Sequence, residues 1–331
     1  MVEENAILGQ IFNKLINHYG KLRQSLSKIE EQSQSIRILS FNSSIEAARA
    51  GQAGKGFQVI AQEIRKISES NKTVNDACNA VVNDIETQMN ELIGIRTADV
   101  AFDTIDKIDR NLFERYCDVQ AWATFGKIRE ACKEPTQEKC VKACKTLAHL
   151  VQVYEVYYDI ILADLDGNII ATGVQNNIIG NNVTQKDWFS EVKNTKQTFY
   201  SDMYHSSSMN AHVMTYACPV VDEDGVMVGV ISTRFNWNFV LDIVNSAKIE
   251  NTSSIYLINK DGLVIASKKS DEILNKKLTF NEAFVQIQHG KTYGYCFNAK
   301  QFQKSIIGYA KTKGYNSYKG KDWSIIIEEK Y

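Results

Sequence analysis

Along the first third of the chain, apolar residues return at every third or fourth position. Leu8, Phe12, Leu15, Tyr19, Leu22, Leu26, Ile29 and Ile36 form one such track, with Ser33 in its polar slot. Ile60, Ile64, Ile67, Asn71, Val74, Cys78, Val81, Ile85 and Leu92 form a second. This is the a/d spacing of helices that supercoil about a partner. Between the tracks stand Gly51, Gly54 and Gly56, where a helix must end and reverse. The pattern predicts a long antiparallel coiled-coil hairpin over residues 1–95 with its tip near 51–54. Each arm is about 44 residues long, or roughly 65 Å at ~1.5 Å per residue.

The helical spacing continues through Val100, Ile105, Ile108, Leu112, Val119 and Trp122, with no glycine from Arg96 until Gly126. A long helix is expected over 96–131, following the descending arm without a flexible linker. The run KEPTQE breaks it, and Pro135 suits the first turn of a second helix over 135–154. Near Tyr158 the period falls to two. DIILADLDGNIIATG and, later, SIYLINKDGLVIAS each read as strand, Asp-Gly turn, strand, at Asp166-Gly167 and Asp261-Gly262. VVDEDGVMVGVISTRF turns near Asp224-Gly225, and TYGYCFNAKQFQKSIIGYAK and DWSIIIEEKY supply the last strands. The unit is repeated, which predicts two PAS-like antiparallel lobes over 155–245 and 252–331. The fold class is α+β: a helical hairpin, a long helix and two sheet lobes.

Composition narrows the function. At 331 residues with net charge −1, the chain has room for two or three domains and no bias toward nucleic acid or an anionic membrane surface. No apolar run approaches the roughly 18 residues of a membrane span, and MVEENAILGQ does not resemble a signal peptide. A soluble, cytoplasmic protein is the expectation. Seven cysteines, an odd number, argue against a disulfide framework. Cys132, Cys140 and Cys144 lie near one another in sequence, either as small buried thiols or as a redox or metal site. No phosphate-binding glycine loop, HExxH, GxSxG or kinase signature occurs, so no enzyme activity and no cofactor are expected. GQAGKGF lacks the Ser/Thr and the preceding strand of a phosphate loop.

The string IEAARAG-x-AG-KGF-x-VIA-x-E-IRK, Ile45 to Lys66, resembles the signalling tip of bacterial methyl-accepting chemotaxis receptors. The resemblance implies that two hairpins form a four-helix bundle as a dimer, extending to trimers of dimers. It also implies docking of a chemotaxis histidine kinase and its coupling protein. Arg37, Ile38, Phe41, Asn42, Glu46 and Arg49 match trimer-contact positions, and Gln52, Lys55 and Val59 the kinase and coupling-protein surface. Ser35 and Arg37 stand where Gln and Asn are usual, Phe41 replaces Leu, and Ser43-Ser44 replaces two alanines. Glu30-Glu31 only loosely resembles a methylation site and sits too near the tip for one.

VTQKDWFSEV, FYSDMY, ACPVVDEDGVMVGVIST and KDWSIII, with the long helix before them, resemble a double Cache (dCache) sensor domain over 96–331. The resemblance implies a small ligand in the first lobe, with Lys186, Trp188, Phe189, Tyr200, Asp202, Tyr204, Tyr216 and Arg234 around it. Amino-acid-binding members carry an arginine at the Lys186 position, an aspartate at or beside Arg234 and a tyrosine at Asn181. Two cations and no ammonium partner favour an anionic ligand. The alternative is an outward-facing Arg234, or an Asp202 that neutralises one cation. His205 and His212 flank a Ser/Met loop near the pocket mouth; the other histidines, His18, His149 and His289, are scattered.

Three functions follow. The first is a chemoreceptor-like transducer that senses a small ligand and controls a kinase. The second is a structural member of a receptor array whose lobes bind nothing. The third is a cysteine-based redox or metal sensor.

Overall fold

The computed structural model describes residues 2–250, 252–279, 281–298 and 305–330, the side chains of 2–13 excepted. Helix α1 (Val2–Arg49) and helix α2 (Lys55–Trp122) are joined by a 3-10 turn at Gly51–Gly54. Gly51 has φ +58°, where a side chain would strain the backbone, and a Cβ on Gly54 would fall 2.1 Å from the Ala47 carbonyl oxygen. The chain divides into two units, Met1–Ile93 and Gly94–Tyr331, and α2 contributes to both.

In the first unit the two helices run antiparallel. Ser68 Oγ donates to the Ser33 carbonyl at 2.9 Å, Tyr19 hydrogen-bonds Glu86, and Arg23 lies 3.4 Å from the same carboxylate. The inner seam is built from Leu26, Ser33, Ser40 and Ala47 facing Ala61, Ser68, Asn75 and Val82. On α2 each seam residue follows a residue of the apolar track by one position, so the track itself turns outward. Leu15, Leu22, Ile29 and Ile36 on α1, and Ile60, Ile67, Val74, Val81, Ile85 and Leu92 on α2, are exposed in the single chain. Leu8 and Phe12 lie outside the described residues. The asparagine in the seam is Asn75, not Asn71, which is exposed. Both amide atoms of Asn75 are buried without a partner among the described residues.

In the second unit, α2 stops at Trp122 rather than running to residue 131, and α3 (Gly126–Lys133) restarts after a turn. Trp122 packs edge-on against Tyr154 and Tyr157 at 4.8 and 5.2 Å, and Thr124 Oγ1 donates to the Ala121 carbonyl. Local capping and tertiary packing, not a glycine or proline, end this helix. Helix α4 (Gln137–Tyr154) begins behind Thr136, whose hydroxyl accepts from Lys139 N.

The first sheet contains β1 (Tyr157–Asp164), β2 (Ile169–Thr172), β3 (Phe199–Tyr200), β4 (Tyr204–Ser206), β5 (Ala211–Val221) and β6 (Met227–Asn236). It is antiparallel in the order β2-β1-β6-β5-β3, with β4 also on β5. Helix α5 (Asp187–Thr195) covers its outer face and α6 (Asn238–Asn245) follows it. The second sheet holds β7 (Ser254–Ile258), β8 (Val264–Ser267), β9 (Tyr293–Asn298), β10 (Ser305–Lys311) and β11 (Ser324–Lys330), with α7 (Glu282–Gln288) as its cover. Its order is β8-β7-β11-β10-β9.

The repeat extends to the turns. Asp164 accepts from the amides of Asp166 and Asn168, Asn259 from Asp261 and Leu263, and Asp222 from Asp224 and Val226. Gly167, Gly262 and Gly225 then take φ near +80°. The common pattern Asx-x-Asp-Gly is an Asx turn closed by a left-handed glycine. The inner faces of both sheets share one core with Ile105, Ile108, Leu112 and Val119 of α2. Each outer face has its own smaller core, around Trp188, Phe189 and Val192 in the first lobe and around Phe284 and Ile287 in the second. Among the described residues, no helix is long and apolar enough to cross a membrane.

Candidate ligand-binding site

Strand alternation sends Asp159 and Ile161 of β1, Thr215 of β5 and Ser232 and Arg234 of β6 to the outer face of the first sheet. There α5 and the segment after β3 enclose a cavity of about 630 Å³. Ile161, Ile169, Val183, Trp188 and Phe199 give it apolar walls, while Ser201, Asp202, Tyr204, Thr215 and Arg234 supply polar groups.

Arg234 is the central charge. It is only 8% exposed, which rules out the outward-facing alternative. Its Nη1 donates to Ser232 Oγ at 2.8 Å and to the Thr233 carbonyl at 2.9 Å, and its guanidinium stacks 5.3 Å from the Trp188 ring centre. Among the described residues it has no ion pair, and its Nε and Nη2 have no acceptor. Burial pushes its pKa down, against the pull of Tyr204 and Asp159; the guanidinium still remains ionised.

Asp159 stands opposite Arg234 in the β1–β6 register but is otherwise engaged. Its Oδ1 accepts from the amides of Ile160, Gly173 and Val174 at 2.8–3.0 Å, and its Oδ2 from Gln175 at 3.1 Å. Burial raises its pKa, and these four amides oppose the rise. Asp202 is committed too: its Oδ1 accepts from Trp323 Nε1 at 2.9 Å and from Met203 N at 3.1 Å. Burial raises its pKa as well. Neither carboxylate forms a contact ion pair with Arg234. Tyr204 Oη and Thr215 Oγ1 share a hydrogen bond of 2.9 Å on the cavity wall.

Of the residues expected around the ligand, Lys186, Trp188, Asp202, Tyr204 and Arg234 line the cavity, Lys186 from its exposed rim. Phe189, Tyr200 and Tyr216 do not. Phe189 is packed beneath α5 with Val192, and Tyr216, fully buried, faces the inner core because its neighbour Thr215 faces out. Tyr200 turns toward Tyr116 and Tyr318, at 5.9 and 4.9 Å between ring centres. Sequence reasoning missed Asp159, Gln175, Ser201, Thr215 and Ser232. Period-two parity from Arg234 would have reached Ser232.

In the second lobe, Lys276 Nζ donates to Tyr256 Oη at 2.9 Å and to Glu272 at 2.8 Å, so that lysine is internally paired. Cys132 is buried against Gly229, and Cys140 and Cys144 are half-buried beside the core. Burial drives the Cys132 and Cys140 thiols above their ordinary pKa, away from the thiolate that redox or metal chemistry needs. Among the described residues, no group of three or more His, Cys, Asp or Glu is arranged to hold a metal ion.

At the hairpin tip, Arg37, Ile38, Phe41, Asn42, Glu46, Arg49, Gln52, Lys55 and Val59 are all exposed. Glu46 and Arg49 pair along the helix at 2.8 Å.

Curated relatives match in part. A methyl-accepting chemotaxis protein, McpN of Pseudomonas aeruginosa, is 29% identical over 93 residues, covering 28% of this chain and 18% of its own. The putative sensory transducer protein YvaQ of Bacillus subtilis is 35% identical over 92 residues, covering 28% and 15%. The chain thus spans less than a fifth of either relative. In fold it is similar to the sensory domain of the Campylobacter jejuni chemoreceptor Tlp3, with TM-score 0.57 and 12% identity over 71% of this chain and 92% of that one. The ligand-binding domain of the P. aeruginosa amino-acid chemoreceptor PctC, solved with GABA, gives TM-score 0.54 and 12% identity over 70% and 97%. The Cache domain family model matches residues 57–331, most of the chain, and the chain belongs to the Cache domain family.

Proposed function

We propose that this chain is a chemoreceptor-type transducer that binds a small carboxylate in its first lobe and controls a chemotaxis histidine kinase through its hairpin tip. The observation that carries the ligand half is Arg234: a buried guanidinium, without an ion pair among the described residues, on the wall of a cavity of about 630 Å³. A planar fork with Nε and Nη2 unused suits a bidentate carboxylate, and Lys186 adds positive charge at the rim. An ammonium would find its candidate anions, Asp159 and Asp202, already occupied by amides and Trp323.

The kinase half rests on the exposed tip, whose nine carried-over residues are open to a partner, and on the resemblance of the string Ile45 to Lys66 to a chemoreceptor signalling tip. In this reading two hairpins pair through their outward apolar tracks into a four-helix bundle, and the ligand is met in the cytoplasm, where the kinase is. A thermal-shift screen of organic acids, amino acids and purines on the full chain tests the sensor reading. Shifts with acids lacking an ammonium group support it. If no class stabilises the chain, a non-sensing structural member of an array explains it better.

A further inference from the structure

Strand β4 meets β5 with His205 directly opposite His212. The two rings stand 5.5 Å apart, centre to centre, at 82°. Neither imidazole has a hydrogen-bond or ion-pair partner among the described residues. His205 is exposed and belongs to the cavity lining with Ser206, Ser208 and Met209, whereas His212 is half-buried and lies outside that lining. Burial and the neighbouring His205 lower the His212 pKa.

Directly opposed residues of an antiparallel pair hold their Cβ atoms about 4.5–5.5 Å apart. From there two imidazoles can converge on one ion with metal–nitrogen distances of about 2.0–2.1 Å. Imidazole donors suit zinc, nickel and copper, whereas magnesium and calcium demand oxygen. Two aromatic rings edge to face would also stabilise a hairpin, but that role needs no nitrogen atoms. Here a polar, serine-rich strand end presents two ring systems with no hydrogen-bond partner among the described residues.

We propose that His205 and His212 together bind one borderline divalent transition-metal ion where β4 pairs with β5. The remaining coordination positions are left to water. The site stands without any ligand in the cavity and does not depend on the carboxylate reading.

Calorimetric titration of the full chain with Ni²⁺, under reducing conditions, tests the site. The native chain should bind one equivalent more than the His205→Ala/His212→Ala double variant. Either single variant should weaken that equivalent by at least tenfold. Mg²⁺ should give no corresponding heat, and Arg234→Ala should leave the Ni²⁺ titration unchanged. His205→Gln/His212→Gln, with circular dichroism as a folding control, guards against a misfolded alanine variant. Equal stoichiometry and affinity for Ni²⁺ in the native and the folded double-variant chains would overturn the proposal.

Discussion

Trp323, at the entrance to β11 in the second lobe, donates its indole N–H to Asp202 on the wall of the first-lobe cavity at 2.9 Å. The segment leading into Trp323 also grips α2. Thr312 Oγ1 donates to Asp109 Oδ1 at 2.5 Å, and the amides of Lys313 and Gly314 donate to Oδ2 at 3.2 and 3.0 Å. Tyr318 packs against Tyr200 of the first lobe and Tyr116 of α2. A shift of Asp202 on ligand binding therefore has a continuous packed route to α2 through residues 312–323.

Trp323→Phe keeps the ring packed on Trp237 but removes the donor to Asp202, leaving a partly buried carboxylate with one fewer partner. Unfolding free energy in urea should fall by about 1–3 kcal/mol. Ligand affinity should change little, whereas ligand-induced protection of α2 in hydrogen exchange should be lost. Unchanged protection would show that Trp323 is not on the route.

Buried carboxylates set the acid response. Burial holds Asp109, Asp159 and Asp202 above their ordinary pKa in the folded chain. A raised folded pKa means that the folded state holds the proton more tightly than the unfolded state does. The stability these groups contribute is thus fully present below about pH 3.9, the unfolded value, and is lost as pH rises through their folded values. Asp222 and Glu272, which are lowered, work in the opposite direction. Urea unfolding of Asp159→Asn followed from about pH 4 upward should show a smaller loss of stability with rising pH than the native chain. An identical slope would mean that Asp159 does not titrate in that window.

The outward apolar tracks call for a partner. Leu22, Ile29, Ile67 and Val74 are exposed in the single chain, and the seam between α1 and α2 contains Ser33, Ser40, Ser68 and Asn75 instead. Light scattering should report a dimer or larger at tens of micromolar. Asn75→Leu should raise the melting temperature, because it removes a buried amide without partners, and should broaden the distribution of assembled states. A monomer in light scattering would contradict the four-helix bundle.

Glu46→Ala with Arg49→Ala removes an exposed ion pair and nothing from the seam. The melting temperature should be unchanged while kinase coupling or higher assembly is disturbed. Full kinase coupling and array formation in the double variant would assign the tip no partner role.

Much of the fold was legible because its signals are local. Glycine at a left-handed position behind an Asx turn marks each strand turn, and Gly54 marks the close approach at the tip. Other features depend on which side a residue faces once elements meet. The end of α2 at Trp122 comes from packing on Tyr154 and Tyr157, which no local pattern announces. The sites followed the same division. Arg234 and Trp188 were identifiable from a resembling motif. Tyr216 went to the opposite face because Thr215 is the residue paired with Arg234, a register visible only in the sheet. Tyr200 was drawn away by Tyr116 and Tyr318, which lie far from it in sequence.

Signal transfer in the proposed transducer runs along α2. Residues 94–98 already pack in the second lobe: a Cβ on Gly94 would meet the Tyr295 ring, and one on Gly308 would meet Thr97 and Ala98. A flexible Gly/Ser insertion placed before Gly94 spares these contacts. It should abolish ligand control of the kinase while leaving ligand affinity intact, since a random coil transmits neither rotation nor axial shift. Retained control would refute transfer through a continuous helix.

The charge of the cavity is the central claim, and calorimetry on Arg234→Ala tests it most directly. The organic acid giving the largest thermal shift would be titrated into the native and variant chains. Affinity should fall by about 1.5–3 kcal/mol, roughly 10- to 150-fold, with the variant still folded. If Arg234→Ala binds that acid as tightly as the native chain, or if only ligands with a free ammonium group bind, the carboxylate reading is contradicted.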